Sequence, residues 1–220
     1  MCFKKISMKN VKLKICGMKH PENIQEIASL EPDYLGFIFW DQSIRKMDFE
    51  TLPKVPLNIK KVGVFVDESI HEIFAKVNQF KLDAVQLHGN ENVVFCKNVK
   101  KIGIEVIKAF SIDNDFDFST VKDYEPFVNY FLFDTKGKLP GGNGISFDWK
   151  VLEKYSYDKP FFLSGGIGNT EVEAIKDFFK TEASKKCIAI DVNSRFETKP
   201  GYKSKIKLKK FKKSLYEIEI

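Results

Sequence analysis

The stretch "KKVGVFVDESIHEIFAKVNQFKLDAVQLH", residues 60–88, contains the pattern that decides the fold. Its two ends, 60–66 and 83–88, are short apolar runs rich in β-branched residues, which is typical of strands. Between them, 69–80 repeats its apolar residues at helical spacing and begins with Ser69, a residue type favoured at helix N-termini. A strand, a helix and a second strand in this order predict two parallel strands joined by a crossover.

The same alternation runs through the whole chain of 220 residues. Strands are predicted at 11–16, 34–40, 60–66, 83–88, 104–110, 129–134, 161–165 and 187–191. Eight parallel strands within this length favour an α/β fold closed into a (β/α)8 barrel, the TIM barrel, over an open doubly wound sheet, which normally holds fewer strands. We predict one TIM-barrel domain over 1–220, with an N-terminal extension at 1–10 and a lysine-rich C-terminal helix at 203–217.

Positive charge is concentrated at the two ends of the chain. The net charge is +6, but residues 1–14 hold five lysines and 199–213 hold eight, with no acidic residue in either window. No aromatic interleaving or nucleic-acid-binding motif accompanies these lysines, so solvated ends are favoured over a nucleic-acid surface. One apolar helical face is predicted for Ile206, Leu208, Phe211 and Leu215.

Other patterns exclude several classes of protein. No run approaches the 18 or more apolar residues of a membrane span, and "MCFKKISMKN" lacks the apolar core of a secretory signal, so we predict a cytoplasmic protein without membrane association. The cysteines show no CxxC pairing, which favours free thiols over a disulfide framework or a zinc site. They are Cys2, Cys16, Cys96 and Cys187.

A barrel places its active site at the carboxyl ends of the strands. The polar or reactive residues at or just past the predicted strand ends are Cys16, Arg45, Asp67, His88, Ser111, Asp134, Ser164 and Asp191. The glycines of "FFLSGGIGNTEVEAI" follow the seventh strand and precede a helix, where backbone N–H groups can hold a phosphate. A matching loop after the eighth strand contains Asn193 and Ser194. The sequence therefore predicts a phosphorylated small-molecule ligand.

Cys16 and Asp134 end the first and sixth predicted strands, so the barrel can bring a thiol and a carboxyl to two sides of one ligand. An acid and a base in this arrangement suit an isomerisation. A free cysteine has a pKa of about 8.5, so a basic role at neutral pH needs a neighbour, for which Lys14 is a candidate. The glycine-rich segment that follows Asp134, "TKGKLPGGNGIS", is predicted to form a lid.

Seven blocks of the chain resemble the phosphoribosylanthranilate isomerases of tryptophan biosynthesis, in the order found in that family. The blocks are "KICGM", "YLGFIFWDQSIRKM", "VGVFVD", "DAVQLHGNE", "FLFDTKGKLPGGNGISFDW", "FLSGGIG" and "IDVNSRFE". The resemblance implies an Amadori rearrangement of N-(5-phosphoribosyl)anthranilate to 1-(2-carboxyphenylamino)-1-deoxyribulose 5-phosphate. It implies general acid–base catalysis with neither a metal nor an organic cofactor.

The resemblance also implies residue roles. Cys16 matches the family's general base, Asp134 its general acid, and Arg45 the arginine that meets the anthranilate carboxylate. For His88 we favour a structural hydrogen bond. The residues in the loops that match the phosphate site are Gly165, Gly166, Asn193 and Ser194. Arg195 stands where many members have glycine. If the position needs a positive φ, the arginine would be strained there; if it does not, Arg195 adds a cation beside the phosphate or points to solvent.

Two other functions fit parts of this pattern. A histidine-pathway isomerase performs a related Amadori rearrangement on a phosphate-binding barrel, but that chemistry is associated with paired aspartates, and here the first strand ends in Cys16. A non-catalytic barrel that binds a phosphometabolite has no need for both Cys16 and Asp134. The oligomeric state is open, with a monomer slightly preferred.

Overall fold

The computed structural model describes residues 8–135 and 148–216. Eight parallel strands close into a barrel in chain order, with β1 beside β8. They are β1 Lys12–Ile15, β2 Tyr34–Ile38, β3 Lys60–Phe65, β4 Ala84–Leu87, β5 Glu105–Ile112, β6 Tyr130–Thr135, β7 Phe161–Leu163 and β8 Cys187–Val192. The predicted TIM barrel is confirmed, and each strand end lies within two residues of its prediction.

Five α-helices are described: α1 Pro21–Ala28, α2 Ile70–Phe80, α3 Val93–Lys100, α4 Val172–Phe178 and α5 Lys205–Tyr216. Ser69 caps α2 as its sequence indicates, because its side chain accepts a hydrogen bond from the Glu72 N–H. Other crossovers are irregular. After β5 the chain forms a 3-10 helix over Phe118–Phe127, which contains Pro126, a residue that cannot donate a backbone hydrogen bond.

The strands present alternate residues to the barrel interior. One apolar cluster fills the interior and is formed by Tyr34, Val62, Ala84, Ile107, Ala109, Leu132, Phe162 and Ala189. Two residues further along β6, β7 and β8, the same inward face carries Asp134, Ser164 and Asp191. The side chains that point into the barrel therefore change from apolar to polar within two residues, at the carboxyl ends of the strands. A second, larger apolar cluster joins the barrel to its helices.

The C-terminal segment differs from its prediction in two places. Leu208, Phe211 and Leu215 are fully buried on α5, but Ile206 is 83% exposed, since it lies about 200° around the helix from Leu208. Lys203, in the lysine-rich window expected to be solvated, is completely buried. It belongs to β10, Tyr202–Lys203, which pairs with β9, Glu197–Lys199. Within the described ranges, no helix is long and apolar enough to cross a membrane.

Candidate active site

A cavity at the carboxyl ends of the strands brings four predicted site residues together. Its walls include Cys16, Arg45, Asp134 and Asn193. The other residues given a role by the resemblance, Gly165, Gly166 and Ser194, stand in the adjoining turns after β7 and β8. Of the remaining strand-end candidates, His88, Ser164 and Asp191 also line the cavity, whereas Asp67 and Ser111 are not among its described lining residues. The lid prediction falls almost entirely on residues 136–147, which lie outside the described residues.

Cys16 follows β1 and is 4% exposed. Its N–H donates to the Val192 carbonyl over 2.9 Å, which fixes the turn after β1 against β8. On the other side the thiol faces Gly36 of β2, where an added Cβ would lie 2.7 Å from the sulfur. Glycine at this position gives the thiol its room, because any side chain would displace the sulfur. The other described cysteines, Cys96 and Cys187, are also free and buried.

Lys14 and Asp191 form a buried ion pair beside Cys16. They are register partners on β1 and β8, and the Lys14 Nζ lies 2.8 Å from the Asp191 Oδ1. Ser164 donates its hydroxyl to the other carboxylate oxygen over 3.3 Å. Burial lowers the pKa of Lys14, but Asp191 and Cys16 outweigh that effect and leave the pKa above its usual value. Lys14 is therefore an ammonium group at neutral pH.

The protonation of Cys16 follows from this surrounding. Burial raises the pKa of the thiol, and Asp191 adds to the increase. Lys14 opposes it through its charge and a hydrogen bond to the sulfur, and Lys203 opposes it through its charge. The net effect is a raised pKa, so the protein without substrate holds a neutral thiol at neutral pH. Lys14 is the group that most favours the thiolate.

Asp134 lies across the cavity near the end of β6 and is 5% exposed. Its Oδ1 accepts the Thr135 N–H over 2.9 Å, and its Oδ2 lies 3.4 Å from the His88 Nε2. The Gln86 Nε2 contacts the His88 Nδ1 at 2.7 Å. The other ring nitrogen, Nε2, is the one that faces Asp134, and it makes no hydrogen bond within the described residues. His88, for which we favoured a structural role, therefore contacts the predicted acid.

Arg45 is held by a residue that the sequence reasoning missed. Its Nε and Nη2 each lie 2.8 Å from one oxygen of Glu197, in a bidentate pair. A guanidinium carries five N–H donors, so this pair leaves the edge formed by Nη1 and the second Nη2 hydrogen for a further carboxylate. Burial raises the pKa of Glu197, but Arg45 and Lys203 outweigh it and hold the pKa below its usual value.

The turns after β7 and β8 require glycine at defined points. Gly165 and Gly166 have φ values of +97° and +64°, and a Cβ on Gly165 would lie 2.1 Å from the Thr135 hydroxyl oxygen. After β8, Asn193 precedes a 3-10 helix, Ser194–Phe196. The turn after β7 therefore requires glycine at Gly165 for its backbone conformation and for its close approach to Thr135.

Arg195 is not strained in place of the family's glycine. It lies in the 3-10 helix Ser194–Phe196, and Glu31, Asp67 and Lys81 are the non-glycine residues with positive φ in the described part of the chain. Its side chain is exposed, and its stem lies beside Gly168, where an added Cβ would be 3.1 Å from the Arg195 Cβ. Arg195 thus stands between the turns after β7 and β8.

Comparison with known proteins agrees with this geometry. A family model described as N-(5'-phosphoribosyl)anthranilate isomerase matches residues 13–214. A protein of that name from Parabacteroides distasonis is 42% identical over 204 residues, which cover 90% of each chain. A phosphoribosyl anthranilate isomerase structure from Thermus thermophilus has a TM-score of 0.80 and 25% identity, covering 93% of this chain and 98% of the other.

A further solved phosphoribosyl anthranilate isomerase holds reduced 1-(o-carboxyphenylamino)-1-deoxyribulose 5-phosphate. It is 29% identical to this chain with a TM-score of 0.78, and the match covers 94% of this chain and 100% of the other. The family model and the curated relative each extend over most of the barrel, so the resemblance noted in the sequence is confirmed. The chain belongs to the N-(5'-phosphoribosyl)anthranilate isomerase family.

Proposed function

We propose that this chain catalyses the Amadori rearrangement of N-(5-phosphoribosyl)anthranilate in tryptophan biosynthesis, with Cys16 as general base and Asp134 as general acid. The observation that carries the proposal is the convergence of this thiol and this carboxyl, from β1 and β6, on one cavity that Arg45 also lines. Proton transfer by two such groups contributes typically about 10²–10⁴-fold each to a rate.

The reaction needs one proton delivered and one removed. Asp134 protonates the furanose ring oxygen, and the ring opens to a Schiff base between C1 and the anthranilate nitrogen. Cys16 must first lose its proton to solvent, and the Lys14 ammonium favours the thiolate that results. The thiolate then removes the proton from C2, which leaves an enolamine. Tautomerisation of the enolamine to the ketone oxidises C2 and reduces C1, so the step balances without an external oxidant. The Thr135 N–H, which donates to the Asp134 Oδ1 over 2.9 Å, orients the carboxyl, and the His88 Nε2 lies 3.4 Å from the Oδ2.

The same cavity suits the rest of the substrate. Arg45 has one edge of its guanidinium paired with Glu197, and we assign its other edge to the anthranilate carboxylate. Apolar side chains of Ile38, Trp40 and Val64 line the cavity and suit the aromatic ring. The phosphate is assigned to the N–H groups around the four residues Gly165, Gly166, Asn193 and Ser194. A cytoplasmic location, and the absence of nucleic-acid and membrane partners, remain predictions from the sequence.

An activity assay tests the function directly. Phosphoribosylanthranilate is generated in situ, and its fluorescence is expected to fall at a rate proportional to the amount of purified protein. The parallel assay uses the histidine-pathway aminoimidazole substrate, for which we expect no turnover. Turnover of that second substrate alone would replace our assignment with the histidine-pathway isomerase. Binding of phosphosugars without turnover of either substrate would favour the non-catalytic barrel.

Gly165→Ala is expected to weaken substrate binding and destabilise the fold. The new Cβ would lie 2.1 Å from the Thr135 Oγ1 and 2.8 Å from its nitrogen, so the phosphate turn must move. Loss of one hydrogen bond to a charged phosphate is worth about 1.5–3 kcal/mol, or roughly ten- to a hundredfold in KM. KM is measured by the fluorescence assay and stability by urea unfolding.

Gly103→Ala is the matched control for this substitution. Gly103 has a similar φ of +83°, but an added Cβ there meets nothing within 4 Å. It should show only the left-handed backbone cost of about 1–2 kcal/mol and an unchanged KM. An equal KM for both variants would remove the turn after β7 from phosphate binding.

Lys14→Met is expected to raise the pKa of Cys16 beyond its already raised value. The wild-type thiol should stay neutral through pH 7 and ionise only above its usual pKa, because burial disfavours the thiolate. The positive charge of Lys14 is the strongest influence that lowers the pKa of Cys16, so its removal moves the ionisation of the thiol to still higher pH. Each added unit of pKa lowers the thiolate fraction at neutral pH, and with it kcat/KM, about tenfold. The measurement is the ultraviolet absorbance of the thiolate against pH, with Cys16→Ala as the blank.

Two variants control this experiment. Lys14→Met leaves the Asp191 carboxylate buried without its cation, so Lys14→Met/Asp191→Asn serves as the variant without an unpaired buried charge. Because Asp191 also raises the pKa of Cys16, the pKa of Cys16 in the double variant should lie below that in Lys14→Met. Lys12→Met removes a lysine two residues earlier on β1, whose Nζ contacts the Tyr34 hydroxyl at 3.5 Å, and should leave the titration unchanged. A titration unaffected by Lys14→Met would contradict the assigned role.

A further inference from the structure

Lys203 is a buried cation that the proposed mechanism does not use. It is 0% exposed, although it follows a turn in a segment rich in solvated lysines. Its backbone is held by Asn23 of α1, which is also fully buried: the Lys203 N–H donates to the Asn23 Oδ1 over 2.7 Å, and the Asn23 Nδ2 donates to the Lys203 carbonyl over 2.9 Å. This paired contact sets the position from which the side chain extends.

The Lys203 ammonium joins two parts of the cavity wall. Its Nζ donates to the Glu197 Oε1 over 2.7 Å and to the Asn193 Oδ1 over 2.5 Å. The same Glu197 oxygen also accepts from the Arg45 Nε and from the Gly201 N–H. Lys203 therefore links, through one carboxylate and one amide, the residue assigned to the anthranilate end of the substrate and a residue assigned to its phosphate end.

The charges of this group depend on Lys203. Arg45, Glu197 and Lys203 together carry one net positive charge when the lysine is protonated. Without the lysine, Glu197 would neutralise Arg45, and the guanidinium would attract a substrate carboxylate less strongly. Burial lowers the pKa of Lys203 to about 8, although Glu197 opposes that shift. The charge is thus present at neutral pH.

We propose that Lys203 is a positioning residue that aligns Arg45, through Glu197, with Asn193, so that both charged ends of the substrate bind at once. This inference rests on the proposed function. Lys203 makes its described side-chain hydrogen bonds with Glu197 and Asn193, so we expect its main effect on affinity. Its charge also lowers the pKa of Cys16, so a smaller effect on proton transfer is expected beside it. A cation that supports two anion-binding groups should influence binding at both.

Lys203→Met tests the proposal, because methionine keeps the length of the buried chain and removes the charge and the donors. We expect KM, and the Kd of the reduced product analogue measured by calorimetry, to rise by on the order of ten- to a hundredfold, the effect of losing hydrogen bonds to charged groups. The value of kcat should change much less than KM, since loss of uniform binding affects the ground state and the transition state alike. Any fall in kcat that comes from a higher pKa of Cys16 should disappear as the pH is raised. Anthranilate and inorganic phosphate, titrated separately, should each bind more weakly.

Three further variants complete the test. Lys203→Arg keeps the charge and should restore most of the affinity. Lys203→Gln keeps a donor but not the charge, should fall between the wild type and Lys203→Met, and serves if the methionine variant does not fold. Lys199→Met, in the same hairpin but exposed, should leave KM and Kd unchanged.

Unchanged KM and Kd in folded Lys203→Met or Lys203→Gln would overturn the proposal, as would a loss confined to kcat. The calorimetric measurement is independent of turnover. If the wild type binds the analogue but does not isomerise phosphoribosylanthranilate, the proposed function fails. The comparison of Kd between the wild type and Lys203→Met still tests the role of Lys203 in binding.

Discussion

Replacing Cys16 by alanine is expected to lower kcat by about 10²–10⁴-fold, because it removes the proposed base, and the neighbouring Asp191 carboxylate of the cavity is paired with Lys14 at 2.8 Å. Alanine fits the site without strain, since the thiol needs the space beside Gly36 and a methyl group needs less. The measurement is single-turnover kinetics with phosphoribosylanthranilate. Calorimetry with the reduced product analogue should give a Kd close to that of the wild type.

Cys187→Ala is the matched control for the loss of a buried thiol. Cys187 is the first residue of β8, so it lies at the end of the barrel opposite the cavity, and burial raises its pKa to about 12. Its replacement should reduce stability through a small cavity and leave kcat unchanged. A Cys16→Ala variant with near-normal kcat would take the base role away from this residue.

Asp134→Asn is expected to lower kcat by a similar factor, because it removes the proposed proton donor, whereas Cys16→Ala removes the proposed proton acceptor. The amide has the size of the carboxyl and its oxygen still accepts the Thr135 N–H, but it has no acidic proton to give to the ring oxygen. Ring opening then becomes the slow step, so the substrate should accumulate unopened on the enzyme. Rapid-quench analysis of the bound species distinguishes this from a block at C2, which is the block expected for Cys16→Ala.

The control for this carboxylate lies at the other end of the barrel. Asp83 precedes β4, is exposed, and accepts the Lys61 N–H over 2.8 Å. Asp83→Asn should therefore keep kcat and change stability only slightly. If Asp134→Asn retained more than about a tenth of wild-type kcat, a loss well short of the range for a general acid, another proton donor would have to be sought.

Much of the fold could be predicted from the sequence, because the local spacing of apolar residues and the turn residues determine the strands, helices and turns. The strand and helix signals of 60–88 reappear as β3, α2 and β4, and the turn glycines after β7 take the positive φ that their residue type permits. The position of Cys16 and Asp134 at strand ends was also enough to predict that they line one cavity, since the carboxyl ends of all eight strands meet at the same face of a closed barrel.

The hydrogen-bond and ion-pair partners of the site residues could not be predicted from the sequence, because closure of the barrel brings them together from distant parts of the chain. Arg45 and Glu197 are 152 positions apart, and nothing in "DQSIRKM" indicates which acid the arginine meets. Lys203 resembled its neighbours in a lysine-rich segment, and composition does not distinguish a buried lysine from solvated ones. Ile206 was assigned to the wrong face because four apolar residues were fitted to a stripe that three of them form.

The enclosure of Cys16 between β1 and Gly36 has a consequence for its chemical durability. Oxidants and electrophiles attack thiolates that they can reach, and this sulfur is both neutral at rest and almost wholly covered. An enzyme that uses a cysteine for proton transfer, and not as a nucleophile, has no need to expose it. The packing that raises the pKa of Cys16, the proposed base, thus also protects its thiol against sulfenic acid formation and mixed disulfides.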